Sequence, residues 1–219
     1  MNRLVLNLWN DLRFWPRRPR RQFQNRSATA LNRYPLIFNY VQRAIGRSLP
    51  IRMLSFGCAT GEEVETLRTY FPDATIKGID INPFNIATCR RRLQRTADPK
   101  IAFEVADSAR GEPAAFYDVI FCLAVLRRSG LRRRETCLPD LCFEDFDRCL
   151  GELARSLRPG GLLALRHASF RFADAAVAPA FDLVLKRPPS AREPVLFGPD
   201  NRRLRGVRED GLVFRKRGR

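Results

Sequence analysis

From residue 51 onward the chain alternates short apolar runs with longer amphipathic stretches, and this alternation constrains the fold more than any other feature. Buried strands separated by helices pack most simply as β-α-β units, an α/β, Rossmann-like doubly wound, mostly parallel sheet with helices on both faces. Ile51 to Phe56 reads as the first strand, and Gly61 to Tyr70 as a helix that Phe71-Pro72-Asp73 brings to an end. Ala74 to Asp80 is the second strand. Asn82-Pro83 then opens a helix that runs to about Arg95, with a capping residue followed by a proline at the first position, and with Phe84, Ile86, Ala87 and Leu93 assigned to its packed side. Ile101–Ala106 and Phe116–Leu123 give two further strands, and the spacing over Leu141–Leu157 predicts a covering helix. Arg158-Pro159-Gly160-Gly161 reads as a tight turn before a strand at Leu162–Arg166. Beyond it we expect a helix near 174–185, a Pro-rich connection at 188–199 and a last strand at Leu212–Arg215. Ahead of the sheet, Asn32–Ile45 reads as a helix offering Leu36, Ile37, Tyr40, Val41 and Ala44 for packing.

Composition narrows the class. The chain is 45% apolar and 29% charged, values of an ordinary globular protein that exclude wholesale disorder and fibrous repeats. No apolar run approaches the roughly 18 residues of a membrane span. Six cysteines (Cys58, Cys89, Cys122, Cys137, Cys142, Cys149) without a C-x-x-C pair, and a single histidine, argue against a zinc site, so no metal is expected. With no clear secretory signal, free thiols point to a cytoplasmic protein.

The net charge of +17 sits mostly at the ends: residues 1–33 carry eight arginines against Asp11, and residues 202–219 carry eight basic groups against Glu209 and Asp210. Arginine-rich genomic usage explains this as readily as a nucleic acid or membrane surface held through basic termini. Leu4, Leu8, Leu12 and Trp15 fall on one helical stripe beside the run Pro16-Arg17-Arg18-Pro19-Arg20-Arg21. Such a helix either docks on protein or lies peripherally in a membrane interface. Residues 1–30 therefore read as a basic amphipathic N-terminal helical extension, and residues 31–219 as one domain.

The chemistry concentrates in Met53-Leu54-Ser55-Phe56-Gly57-Cys58-Ala59-Thr60-Gly61-Glu62-Glu63, a strand, a glycine-bearing turn and a helix start. Glycine at 57 and 61 permits a sharp reversal and lets a ligand approach the backbone. A pyrophosphate would favour the helix N-terminus, but Glu62 and Glu63 occupy that first turn and repel it. A ligand with an ammonium and a sulfonium tolerates them. Asp80, closing the second strand in Lys77-Gly78-Ile79-Asp80-Ile81-Asn82, suits two ribose hydroxyls, and no basic residue follows directly to take a 2′-phosphate. Asp107-Ser108 ends the third strand at the same sheet edge and can meet an adenine amino group. Each feature alone also has an ordinary structural reading as a turn or a cap.

Taken in order, the glycine loop, Asp80, Asp107, the strand Tyr117-Asp118-Val119-Ile120-Phe121-Cys122 and Leu157-Arg158-Pro159-Gly160-Gly161-Leu162 resemble the successive motifs of class I S-adenosylmethionine-dependent methyltransferases over residues 51–168. The wording of residues 57–63 is also locally similar to chemotaxis-receptor methyltransferases. The resemblance implies a seven-stranded sheet, a cofactor-binding core at about 51–168 with substrate-side and C-terminal strands at about 169–219, and S-adenosyl-L-methionine as cofactor. It implies that Gly57, Cys58, Ala59 and Gly61 contact the methionyl part, Asp80 and Ile81 the ribose and adenine, Asp107 and Ser108 the adenine edge, and Cys122 the far side of the site. Ser55 stands where many members carry an acid, and Glu62 or Glu63 is then the available substitute.

Methyl transfer to an activated sulfonium needs alignment more than a strong base. The fourth strand ends Phe121-Cys122-Leu123-Ala124, without the element used by many enzymes that methylate nucleic-acid amino groups. His167 follows the fifth strand, where an ordinary imidazole pKa would suit general-base catalysis, against the structural role most lone histidines have. Phe170 and Phe172 either wall an acceptor pocket or pack. Arg127, Arg128, Arg132, Arg133 and Arg134 lie beyond the fourth strand and either recruit an anionic methyl acceptor or form a solvated face. Three readings stand: a small-molecule or lipid methyltransferase, an RNA or protein methyltransferase whose basic ends hold the polymer, and a non-catalytic cofactor-binding module.

Overall fold

A computed structural model of the 219-residue chain describes residues 5–6, 23–24, 27–45, 50–188 and 195–218. Seven strands, β1 (Arg52–Phe56), β2 (Thr75–Asp80), β3 (Ile101–Val105), β4 (Tyr117–Leu123), β5 (Leu157–Arg166), β6 (Phe181–Lys186) and β7 (Gly211–Lys216), form one sheet in the order β3-β2-β1-β4-β5-β7-β6. The first five run parallel. β7 enters antiparallel between β5 and β6. The expected α/β class and doubly wound sheet are therefore present.

Each strand sorts its side chains by the period of two that a pleated strand imposes. On β4, Ile120 and Cys122 join one apolar cluster, while Val119, Phe121 and Leu123 join the other. The second cluster takes Ile37, Phe38 and Val41 from α1 (Pro35–Ile45), Val64 and Leu67 from α2 (Glu62–Tyr70), and Ile86 and Cys89 from α3 (Pro83–Thr96). The first takes Phe146, Leu150 and Leu153 from α4 (Phe143–Ser156), with Phe170, Phe172 and Phe197 from the later loops. Phe38, Phe121 and Phe146 are fully buried, and each contributes about 2 kcal/mol relative to an exposed ring.

Several elements depart from the expected ones. No helix forms over 174–185. Two single 3₁₀ turns, Phe172–Asp174 and Ala178–Ala180, lead directly into β6. Pro179 withholds the amide a helix needs there, and the backbone of 181–186 pairs with β7 instead. The expected turn at Arg158–Gly161 is absorbed into β5 as a register irregularity, because Tyr117 pairs with Leu157 and Val119 with Leu162. On α3 the packed face is Asn85, Ile86 and Cys89, whereas Phe84 is 59% exposed. Phe170 and Phe172 are core residues, Phe172 stacking on Phe214 at 3.9 Å between ring centroids.

Of the N-terminal helical stripe, Leu4, Leu8, Leu12 and Trp15 lie outside the described residues, as does the basic run after it. Between them Val5–Leu6 is extended and pairs antiparallel with Ala28–Thr29. Among the described residues no helix is long and apolar enough to cross a membrane.

Candidate active site

The strand-to-helix turn after β1 is built on backbone geometry that its sequence permits. The N–H groups of Gly57 and Cys58 both donate to the carbonyl of Ile79 on β2, at 2.8 and 3.0 Å, which folds the loop over the strand ends. Gly57 holds φ at +76°, and a Cβ there would stand 2.4 Å from Cγ2 of Val125. Ala59 adopts φ of 49°, Ala124 64° and His167 56°. These are left-handed conformations that cost a side-chain-bearing residue about 1–2 kcal/mol each. They follow β1, β4 and β5 respectively, so the strain collects along one sheet edge.

Asp80 ties that edge together. Its Oδ2 accepts the N–H of Ala59 at 2.9 Å, and Oδ1 accepts the N–H of Asn82 at 2.8 Å and Nδ2 of Asn85 at 3.1 Å. Burial raises its pKa, opposed by these donors from Asn82, Asn85 and Ala59. Of roughly four lone-pair positions on a carboxylate, three are filled by protein and one remains for a ligand. Asn85 also donates to Oγ of Ser27 at 3.0 Å, linking this carboxylate to the segment ahead of α1.

A cavity of about 240 Å³ opens at this edge. Gly57, Ala59, Asp80, Ile81 and Asp107 of the expected contact residues line it, together with Ala106, Val125 and Arg127. Its other wall comes from ahead of the sheet: Phe23, Gln24, Ser27, Ala28 and Arg33. Phe23, Gln24, Ser27 and Ala28, assigned to the N-terminal extension, thus join Arg33 in roofing the cavity, a contribution that no motif in that stretch announces.

The remaining expected residues stand off from this cavity. Gly61 caps α2 at φ 97° against the thiol of Cys89. Cys58 is 1% exposed and lines only a neighbouring cleft of about 30 Å³, with its thiol pKa pushed well up by the Cys89 thiol and by burial. Ser108 supports Asp107, its Oγ donating to Oδ1 at 3.0 Å. Cys122 faces the α4 side of the sheet, completely buried, so the far wall is formed instead by Leu123, Ala124 and Val125. One residue along a strand reverses the face, which explains the miss.

The two glutamates after the loop have different fates. Glu62 accepts from Oγ1 of Thr60 at 2.7 Å and pairs with Nη1 of Arg92 at 2.9 Å. Glu63 reaches back to Ser55, whose Oγ donates to Oε1 at 2.7 Å, and lines the smaller cleft beside Gly57 and Ala59. A carboxylate from the first turn of α2 thus stands against the end of β1. Burial drives its pKa to about 7, against the Ser55 hydroxyl and the charge of Arg33.

His167 does not line the cavity. Its ring lies 5.8 Å from that of Tyr34, and burial, reinforced by Arg166, Arg127, Arg33 and Arg187, drives its pKa down to about 3. The imidazole is therefore neutral but too weakly basic to hold a proton near neutrality, contrary to the ordinary value assumed from sequence. Of the five arginines after β4, Arg127 lines the cavity, whereas Arg128 and Arg134 pair with Asp140 at 3.3 and 3.9 Å. Among the described residues no cluster of His, Cys, Asp or Glu is arranged to hold a metal ion.

This architecture has known counterparts. Residues 50–186 match the model of a family described as a methyltransferase domain. A trans-aconitate 2-methyltransferase of Methylobacterium nodulans is 38% identical over 117 residues, covering 53% of this chain and 38% of that protein. Its namesake from Methylobacterium radiotolerans is 33% identical over 117 residues, with the same 53% and 38% coverage. The aligned stretch thus spans well under half the length of these curated relatives. Among solved structures, phosphoethanolamine N-methyltransferase 2 of Haemonchus contortus superposes with a TM-score of 0.46 at 17% identity, over 60% of this chain and 27% of that one. The YcgJ protein of Bacillus subtilis gives 0.47 at 17% identity, over 64% and 53%. Because the family match covers residues 50–186, well over half of the chain, the chain belongs to the methyltransferase domain family.

Proposed function

We propose that the protein transfers a methyl group from S-adenosylmethionine to a small, anionic acceptor. The observation that carries this is the composition of the cavity, whose wall holds the carboxylates of Asp80 and Asp107 together with the guanidiniums of Arg33 and Arg127. The residues fit the cofactor: Gly57 leaves a space that any Cβ would close, and Asp80 keeps an acceptor position for a ribose hydroxyl. Ile81 and Ala106 offer apolar contact for adenine, and Asp107, steadied by Ser108, accepts from its amino group. When bound, the cofactor supplies a methyl group already activated on sulfonium. Glu63 takes its ammonium, and Cys58, Gly61 and Cys122 shape the walls behind the contact residues.

The acceptor is argued from what the site holds. His167 near pKa 3 offers no base, so the reading favours a nucleophile that is already ionised at neutral pH, such as a carboxylate oxygen. Relatives named trans-aconitate 2-methyltransferases support a carboxylate-bearing small molecule. Incubating the protein with radiolabelled cofactor and fractionated cell extract should place label in the acidic small-metabolite fraction. Label entering RNA, lipid or protein instead would overturn this reading.

Glu63 makes cofactor binding pH-dependent. An ammonium needs the ionised carboxylate, so affinity for S-adenosylhomocysteine should rise as pH increases through about 7, with uptake of the ligand releasing a proton. Glu63→Gln should weaken binding at pH 8 by about tenfold and flatten the profile. The apo protein should behave oppositely. A folded-state pKa above the ordinary carboxylate value means stability present at low pH and lost as pH rises from about 4.5 to about 7, and Glu63→Gln should remove that loss. Parallel pH profiles for wild type and variant in titration calorimetry would refute the assignment.

A further inference from the structure

The roof of the cavity is attached to the carboxylate beneath it through one side chain. Asn85, in the first turn of α3 and 1% exposed, uses both of its amide hydrogens: Nδ2 donates to Oδ1 of Asp80 at 3.1 Å and to Oγ of Ser27 at 3.0 Å. Its carbonyl oxygen Oδ1 is buried and has no partner. Leaving that oxygen bare costs about 1–3 kcal/mol. Turning the amide over would let Ser27 donate to it, but would set a carbonyl oxygen against the carboxylate oxygen of Asp80, where two acceptors repel. The amide is thus held with both donors outward, at the expense of its own acceptor, in the one orientation that serves Asp80 and Ser27 together.

This fixes the polarity of Ser27. Its oxygen accepts from Asn85, so its own proton must go elsewhere, and among the described residues no acceptor stands for it. Ser27 is half-buried and lines the cavity. Its place is set by its neighbours in the chain: the carbonyl of Ala28 accepts Nη1 of Arg33 at 2.8 Å, Ala28 pairs with Leu6, and Oε1 of Gln24 accepts Oγ of Ser129 at 3.4 Å. Below it, Asp80 has one acceptor position left, on Oδ2 beside the Ala59 bond. The sequence suggests that this carboxylate takes both ribose hydroxyls, but the structure leaves room on it for one. The second hydroxyl needs another partner, and the two Asn85 bonds keep Ser27 Oγ within about 6 Å of Asp80 Oδ1.

We infer that Ser27, in the roof, is a cofactor-binding residue that donates to the ribose hydroxyl Asp80 does not hold, and that Asn85 is the positioning residue that sets the donor and the carboxylate at the spacing of a vicinal diol. One hydroxyl gives its proton to Asp80, and its neighbour gives an oxygen lone pair to Ser27. This rests on the ribose placement at Asp80 proposed above. The site then selects a nucleoside that carries both hydroxyls, and part of that selection is made by a segment far from the sheet in sequence.

The test is calorimetric titration of the full chain with S-adenosylhomocysteine and with its 2′-deoxy and 3′-deoxy analogues. Wild type should bind the parent compound at least about tenfold more tightly than either analogue, because each removal leaves a polar group of the site unpaired. Ser27→Ala should lose about threefold to tenfold for the parent, yet less than about twofold for one of the analogues, the one lacking the oxygen that Ser27 meets. A roof residue that only packs would lower all three affinities by one common factor. Asn85→Leu, similar in shape but without either donor, should lose about tenfold or more for the parent and shrink the preference over both analogues. Should that variant fail to fold, the Ser27 series decides alone. Unchanged affinity of Ser27→Ala for the parent, or equal losses for all three ligands, overturns the inference and leaves Asp80 in place. Normal binding by Asp80→Ala removes instead the ribose placement beneath it.

Discussion

Asp80→Ala should reduce affinity for S-adenosylhomocysteine by at least about a hundredfold and also lower the melting temperature, because the side chain serves fold and ligand together. Its loss strands three donors at once: the N–H groups of Ala59 and Asn82 and the amide of Asn85. Ala59 holds a left-handed conformation that this bond helps maintain, so the glycine loop relaxes as the anchor disappears. Asn85 in turn orients Ser27 in the roof, and the variant therefore loosens both walls of the cavity. Asp80→Asn should be nearly as damaging, since its amide points a second donor at Ala59 or at Asn85. Titration calorimetry, with hydrogen exchange at Ala59, measures both effects. Affinity within a few fold of wild type in the alanine variant would remove Asp80 from the site.

Gly57→Ala should abolish detectable cofactor binding and cost about 2–5 kcal/mol of stability, through left-handed strain and overpacking acting together. The added Cβ would lie 2.4 Å from Cγ2 of Val125 at a φ of +76°, and relief would have to move the wall of the cavity. Gly111→Ala is the matched control, because nothing lies within 4 Å of a Cβ built there and its φ lies outside the left-handed range. Denaturant unfolding should separate the two variants clearly. Near-wild-type stability and binding in Gly57→Ala would mean that the loop opens more freely than its packing implies.

The first five strands and the helices between them were legible because burial on both faces leaves uninterrupted apolar runs, and because glycine and proline mark the turns. The Asp80 and Asp107 positions followed from their places at strand ends. Where local signals competed with long-range pairing, the reading failed. Alanines at 173, 175, 176, 178 and 180 favour a helix by propensity, but β7 captures the next segment as β6. Cys122 lies on a site strand, yet only the registry of β4 reveals which face it takes. The roof residues Phe23, Gln24, Ser27 and Arg33 are separated in sequence from the rest of the site and have no spacing that identifies them. Glu62 and Glu63 are indistinguishable in sequence, and only the Arg92 partner and the Ser55 contact assign them different tasks.

The placement of β7 between β5 and β6 has a consequence for synthesis. The strands that carry the glycine loop, Asp80 and Asp107 leave the ribosome well before residues 211–216, so the nucleoside half of the protein can assemble while β5 still presents an open edge. During that interval the apolar stretch Leu162–Leu165 is a template for pairing with another nascent chain. Arrival of β7 closes that edge and gives β6 its neighbour in one event, so this strand guards the protein from aggregation.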